Sequence, residues 1–265
     1  MRDNMTEYFH SNVKGVVITQ MLFTIFAVVG LYLAFNPYWL ILSLLVYYMS
    51  GCLGLTVTFH RYLTHKSFKM PKWCEYLFSF FGAMAGTGST LGWLAVHRMH
   101  HRHSDKEGDP HSPHNSGWKI LVGKYTYKFN PMDTKSLLRD KFHVTLHRYY
   151  YLIFTLWGLA LFAINPYLGL YGFIIPVALL TWVSNITNWS NHTVGYKNFK
   201  TSDNSRNTWW ISLLNWGDGW HNNHHARPAS YTFQYKWWEI DISAYSIYLI
   251  CLLSGTTNTM KTMKL

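Results

Sequence analysis

Residues 15–59 read GVVITQMLFTIFAVVGLYLAFNPYWLILSLLVYYMSGCLGLTVTF, without one Lys, Arg, Asp, Glu or His. A helix that crosses a bilayer needs about 20 apolar residues, so this stretch predicts two spans and a turn. The turn falls at Asn36-Pro37-Tyr38, where proline interrupts helical hydrogen bonding. A second uncharged stretch, Tyr149 to Asn191, is broken in the same way at Asn165-Pro166-Tyr167. The expected fold is therefore all-α and integral to the membrane, with four transmembrane helices at about 13–35, 38–59, 149–166 and 168–191. These form two hairpins, which read as a weak internal duplication. Two core hairpins of a soluble protein would not need uncharged runs this long.

Composition agrees. Charged residues make up 13% of the 265 residues and aromatics 18%, whereas soluble domains carry about 25% charged residues. The formal net charge is +11. Neither hairpin turn contains Lys or Arg, so the positive-inside rule places the remaining segments and both termini in the cytoplasm. A basic face of this kind suits anionic lipid head groups, a phosphate-bearing substrate or an acidic protein. Nucleic acid is excluded as a partner, because the basic residues are dispersed and follow the topology. Cys52, Cys74 and Cys251 lack C-x-x-C spacing and imply neither a disulfide framework nor a thiolate metal site. The first apolar segment exceeds a signal-peptide core and is read as a retained anchor.

Between and beyond the hairpins, residues 1–14 form a polar leader, with an interfacial turn expected near Tyr8 and Phe9. Residues 73–96 are apolar but interrupted by Gly86, Gly88 and Gly92, which predicts a helix lying along the interface rather than a fifth span. Residues 102–147 read as a polar, turn-rich loop. Trp237 to Leu253 carries Glu239 and Asp241 at its start and reads as an interfacial helix.

Nine histidines sit just outside the apolar stretches. His60 and His65 bracket HRYLTH; His97, His100 and His101 lie in HRMHH; His192 ends NWSNH; His221, His224 and His225 lie in HNNHH. Neutral imidazole is the commonest nitrogen ligand for transition metals. Nine rings exceed the needs of one ion, which points to two metals in one site. Within HRMHH and HNNHH the spacing i, i+3, i+4 puts three rings on one helical face. The i, i+5 pair of HRYLTH shares no face on a straight α-helix and suits a frayed end of the second span. Zinc sites usually close with four ligands, often thiolates, so an all-imidazole pair with open positions favours iron and oxygen chemistry. Asn188 lies one turn before His192 and could hold a ligand water. Asp218, Asp105 and Asp109 are candidates to accept the second ring N–H of a histidine. His103, His111 and His114 read as solvated or supporting residues, and His10, His143 and His147 as ordinary interfacial ones.

Taken together, HRYLTH at 60–65, HRMHH at 97–101, SDKEGDPHSP at 104–113, N-x-x-x-H at 188–192, GDGWHNNHH at 217–225 and KWWEID at 236–241 resemble the integral-membrane fatty acid desaturases. The likeness is to their delta-9 group, which includes stearoyl-CoA desaturase, and it runs from about Val46 to the C-terminal helix. The resemblance implies a single domain over 1–265, with a cytoplasmic helical cap holding a di-iron site. In that family the nine matching histidines bind two irons, and the asparagine matching Asn188 binds one through water. A bent tunnel kinks the acyl chain at the metals, and Trp93 matches a tryptophan of the group. His221 at the head of the third box favours insertion of a first, cis double bond near delta-9 into a saturated chain. The animal acyl-CoA members carry Arg-Asp before the second box where this chain has Ala95-Val96, so acyl-CoA, acyl carrier protein and lipid-linked substrates all stay open. Placing Arg-Asp at 95–96 is expected to improve use of acyl-CoA.

Three functions are weighed on this basis: an oxygen-dependent desaturase, a membrane di-iron hydroxylase, and a divalent-metal transporter. A transporter needs ligands at mid-bilayer, whereas these histidines all lie at one face. The sequence carries no flavin, haem or iron–sulfur motif, so the electrons are expected from an external donor, ferredoxin or a b-type cytochrome, whose acidic face suits the basic surface.

Overall fold

A computed structural model describes residues 13–124 and 131–262; the expectations for Tyr8, Phe9 and His10 lie outside them. Among the described residues the chain is helical, and the extended contacts are isolated bridges at Tyr196–Asn207 and Asn207–Trp220. The helices are α1 (Val13–Ala34), α2 (Pro37–Thr64), α3 (Lys72–Ala83), α4 (Thr90–His103), the single turn α5 (Pro113–Ser116), α6 (Lys141–Arg148), α7 (Tyr150–Ile164), α8 (Pro166–Ser190), α9 (Trp209–Leu214), α10 (His221–Ala226) and α11 (Ile242–Ser254).

Three of these, α1, α2 and α8, are long and apolar enough to cross a membrane. The third expected span, α7, has 15 residues. At 1.5 Å per residue it covers roughly 22 Å, short of a ~30 Å hydrocarbon core. Both turns are built alike. The Asn36 side chain accepts from the Tyr38 backbone N–H at 3.1 Å, and Asn165 does the same for Tyr167 at 2.8 Å. Each asparagine thus caps a helix whose first residue is proline, a position where the missing N–H costs nothing. Tyr171 on α8 reaches the first turn: its hydroxyl accepts from Asn36 N–H at 2.7 Å and donates to the Ala34 carbonyl at 2.9 Å.

Two segments depart from expectation. The end of α2 does not fray. From Tyr48 to Thr64 it is wound as π-helix, and His65 N–H closes onto the His60 carbonyl at 3.1 Å. This i→i+5 winding carries α2 five residues past its expected end at 59. The apolar run 73–96 is two helices rather than one. Gly86 and Gly88 take φ of +81° and +108°, a region glycine enters without steric cost, and the chain turns between α3 and α4. With 12 residues α3 is too short to span, as the interfacial reading requires. It packs along the π-wound part of α2, and Gly54 and Gly82 permit the close approach: a Cβ at Gly54 would stand 2.4 Å from the Gly82 nitrogen.

Polar side chains join the spans inside the bundle. Asn185 on α8 donates to the Gln20 side chain on α1 at 2.9 Å, and Trp182 donates to Thr24 at 2.8 Å. In a medium without water such pairs hold helices together where hydrophobicity cannot.

Candidate metal centre

The two histidine triads lie on α4 and α10, and each divides itself between two cages. His97 and His101 of α4 meet His60, His65 and His224 in a first cage; His221 and His225 of α10 meet His100 and His192 in a second. Each helix thus gives its i, i+4 pair to one cage and the ring between them to the other. In both cages the ring nitrogens lie within 4.8 Å of one another. Neighbouring Nε2 atoms stand 3.0 Å apart at His60–His224, 3.2 Å at His65–His97, 3.0 Å at His97–His101 and 2.9 Å at His101–His224. In the second cage His192–His221 is 3.1 Å and His221–His225 is 3.0 Å. The π-winding explains His65, because it brings residue i+5 round to the side of residue i.

Carboxylates hold the rings from behind. His60 Nδ1 donates to Asp218 at 2.8 Å, His100 Nδ1 to Asp109 at 2.9 Å, His192 Nδ1 to Asp105 at 2.8 Å, and His225 Nδ1 to Asp203 at 2.7 Å. Arg61 backs the first of these. It is completely buried, pairs with Asp218 at 2.9 Å and Asp241 at 2.8 Å, and lies over the Phe233 ring at 3.8 Å. A buried guanidinium is tolerated only when paired in this way.

Electrostatics keeps six of the rings neutral. Burial first, then the neighbouring imidazoles, holds His65, His97, His100, His101, His221 and His224 well below the usual histidine range. Burial pushes the Asp203 and Asp105 carboxyls up, but the hydrogen bonds from His225 and His192 outweigh it, taking Asp105 down to about 2 and Asp203 lower still. Asp109 moves the other way, pushed up by burial to about 6.

This arrangement fits metal ions. His100 and His225 both donate from Nδ1 to a carboxylate, so both Nε2 atoms are lone pairs, and these face each other at 3.3 Å. Two lone pairs at that distance repel unless a cation lies between them. Two nitrogens bound about 2.1 Å from one ion at a right angle would stand about 3.0 Å apart, close to the spacings found. Imidazole donors without sulfur suit iron, copper, nickel and zinc.

Comparison with known proteins agrees with this geometry. Residues 36–241 match the family described as "Fatty acid desaturase". The chain belongs to the fatty acid desaturase family. It is 36% identical over 226 residues to the sn-1 stearoyl-lipid 9-desaturase of Anabaena variabilis, covering 82% of each chain. A stearoyl-lipid 9-desaturase of Synechocystis shows 36% identity, covering 80% of this chain and 69% of the relative. The delta-9 acyl-lipid desaturase 1 of Arabidopsis thaliana shows 37% identity, covering 84% and 76%.

All nine histidines singled out from the sequence of this desaturase are gathered at the cages, and Asp218, Asp105 and Asp109 each stand behind one of them. Asn188 lies half-buried on α8, one turn before His192. Trp93 stacks on His97 with ring centres 4.8 Å apart. Sequence reasoning missed Asp203, which sits in a loop outside every box and reads as a turn residue, with nothing in the sequence to set it apart. Several expectations need correction. His143 is wholly buried between Glu75 (2.9 Å) and Thr90 (3.1 Å), not interfacial. Of the residues read as solvated or supporting, His111 is buried and stacks on His100 at 4.3 Å, and His114 is exposed and reaches the His192 carbonyl at 3.1 Å. Glu239 and Asp241 precede α11 and are fully buried rather than lining an interfacial helix. Ala95 is 0% exposed within the apolar core, so an arginine there would bury an unpaired charge and cannot serve to test carrier preference.

Proposed function

We propose that this desaturase converts a saturated, lipid-linked acyl chain into a cis monounsaturated one with the double bond near delta-9. The observation that carries the reading is the reciprocal pair of histidine cages with their Nε2 lone pairs turned inward. His60, His65, His97, His101 and His224 would hold one iron, and His100, His192, His221 and His225 the other, with Asn188 filling out the smaller set through a water. Two irons, when bound, supply the oxygen activation that an unactivated C–H bond demands. The net change is one saturated –CH2–CH2– segment, one O2, two electrons and two protons giving one –CH=CH– segment and two waters. Substrate and external donor thus contribute two electrons each. The donor is a ferredoxin or a b-type cytochrome.

The protein's own task is orientation and exclusion of water. Asp218, Asp109, Asp105 and Asp203 fix the ring tautomers, and Trp93 walls the first cage. On the apolar side a cavity opens between α2, α3, α7 and α8, walled by Leu42, Val46, Phe81, Met84, Trp157 and Phe173, and suits the hydrocarbon. The lipid-linked form is favoured by the names of the relatives and by Ala95-Val96. The topology proposed with it is four spans in two hairpins, with α7 as the short member. The cap, both termini and the cages are cytoplasmic, and the Asn-Pro-Tyr turns lie outside.

Stearate supplied to a desaturase-deficient host expressing the chain is expected to yield a delta-9 cis product in membrane lipids, mapped by mass spectrometry. The purified chain should hold two irons. Hydroxylated chains as the main product, or one metal or fewer per chain, would overturn the reading.

A further inference from the structure

The outer side of the second cage comes to the surface at one loop. His225 Nδ1 donates to Asp203 Oδ2 at 2.7 Å, and Asp105 Oδ2, which holds His192, also accepts from the Asn204 backbone N–H at 2.7 Å. Two of the four rings therefore lean on the single step 203–204, and Ser202 and Asn204 are both exposed. The carboxylate behind the first cage, Asp218, is backed instead by buried Arg61.

Charge around this outlet is mostly positive, with Glu107 beside Lys106 as the exposed exception. Lys106, next to Asp105, and Lys197 and Lys200 are exposed, and Lys197 donates to the Asp203 carbonyl at 2.7 Å. Arg206 is half-buried and donates to the Gly195 carbonyl at 3.1 Å. Among the described residues Glu107 is the one acidic side chain classed as exposed. The loop interleaves its lysines with Asn198, Thr201, Ser202, Asn204 and Ser205. Its one large apolar side chain, Phe199, is half-buried against Tyr235. Surfaces that rest on lipid carry exposed aromatic anchors, and none of the exposed tryptophans, Trp73, Trp118, Trp209, Trp210, Trp237 and Trp238, falls within residues 197–206.

We propose that residues 197–206, together with Lys106, form the docking surface for a small acidic one-electron carrier protein, with the Asp203–His225 contact as its nearest link to the metals. Two successive docking events supply the two electrons of the balance above, each leaving an oxidised carrier, while protons come from solvent. The proposal rests on the desaturase reading. Complementary charge speeds encounter and fixes orientation, and its contribution falls with salt.

The test uses the full chain in phosphatidylcholine nanodiscs, with an acidic [2Fe–2S] ferredoxin and the acidic haem domain of a b-type cytochrome as probes. The double variant Lys106→Glu, Lys200→Glu is expected to weaken carrier binding about tenfold and flatten its salt dependence. KM for the carrier should rise by the same factor. The same charge change at Lys69→Glu, Lys141→Glu should leave Kd in place. Equal losses in both variants, or no binding of either carrier, would overturn the proposal. So would intact carrier binding with loss of affinity for phosphatidylglycerol vesicles, which would assign the patch to lipid. A single wild-type turnover separates the two claims, with the chain reduced anaerobically by dithionite, freed of excess reductant and then given O2: no desaturation sinks the functional reading, whereas desaturation with an unmoved variant Kd sinks only the docking surface.

Discussion

Four of the nine rings in the cages, His60, His100, His192 and His225, are aimed by a carboxylate on Nδ1, and these partners can be removed one at a time. Asp203→Ala frees His225 to rotate, and loss of such a support typically costs about 10–100-fold in metal affinity. The expected outcome is selective loss of one of the two metals, read by elemental analysis after mild chelation; loss of neither would show that His225 needs no support. The neutral rings also set a pH dependence. Six histidines are held well below their usual range by burial, then by one another. In the unfolded chain they take up protons below about 6.5, but in the folded chain they do not. Stability is thus intact above that pH and is lost as pH falls beneath it. The melting temperature of the metal-free chain should drop between about pH 7 and pH 5, and a flat profile would mean the rings are not buried neutral. The histidines were legible because they cluster just outside the apolar runs and the i, i+3, i+4 spacing recurs in HRMHH and HNNHH. Asp203 was not, since an aspartate between serine and asparagine looks the same whether it turns a loop or holds a ligand.

Among the elements, α2 and α3 meet through bare backbone at Gly54 and Gly82, with the π-wound segment as the common wall of the first cage. Gly54→Ala would drive a methyl to 2.4 Å from a backbone nitrogen, and overpacking of this kind costs about 1–3 kcal/mol. Gly92→Ala on α4 meets nothing nearer than the Ser89 hydroxyl at 3.6 Å and should gain up to about 1 kcal/mol from helix propensity. Melting temperatures in detergent check both; equal shifts would argue against the close crossing. The three long apolar helices and the Asn-Pro-Tyr breaks could be read from the uncharged runs, because burial in lipid forbids charge whatever the packing. The π-winding could not: it is set by where His60 and His65 must arrive, and nothing local in YMSGCLGLTVTF announces it. The division of 73–96 was half visible, since glycines 86 and 88 marked a break without saying that the chain reverses there.

On the scale of the molecule, nearly every described carboxylate is spent inside, on histidines, on Arg61 or on capping, so the surface carries the net charge of +11 almost undiluted. Such a surface should face the cytoplasm. Cysteines placed by Tyr38→Cys and Ile164→Cys, both at exposed turn positions (82% and 73%) that spare the asparagine caps, should react with an impermeant reagent from outside the cell. Labelling only from the cytoplasm would refute the topology. Arg61 has a last consequence, for synthesis on the ribosome. It is made early, yet its two counter-ions lie 157 and 180 residues further along the chain. Until Asp241 has emerged from the exit tunnel, the end of α2 holds a cation that cannot be seated in an apolar interior. A chain cut short before that point lacks one of the two carboxylates that seat this guanidinium, so the same residue that steadies His60 in the finished protein leaves a charge half-paired in an unfinished one.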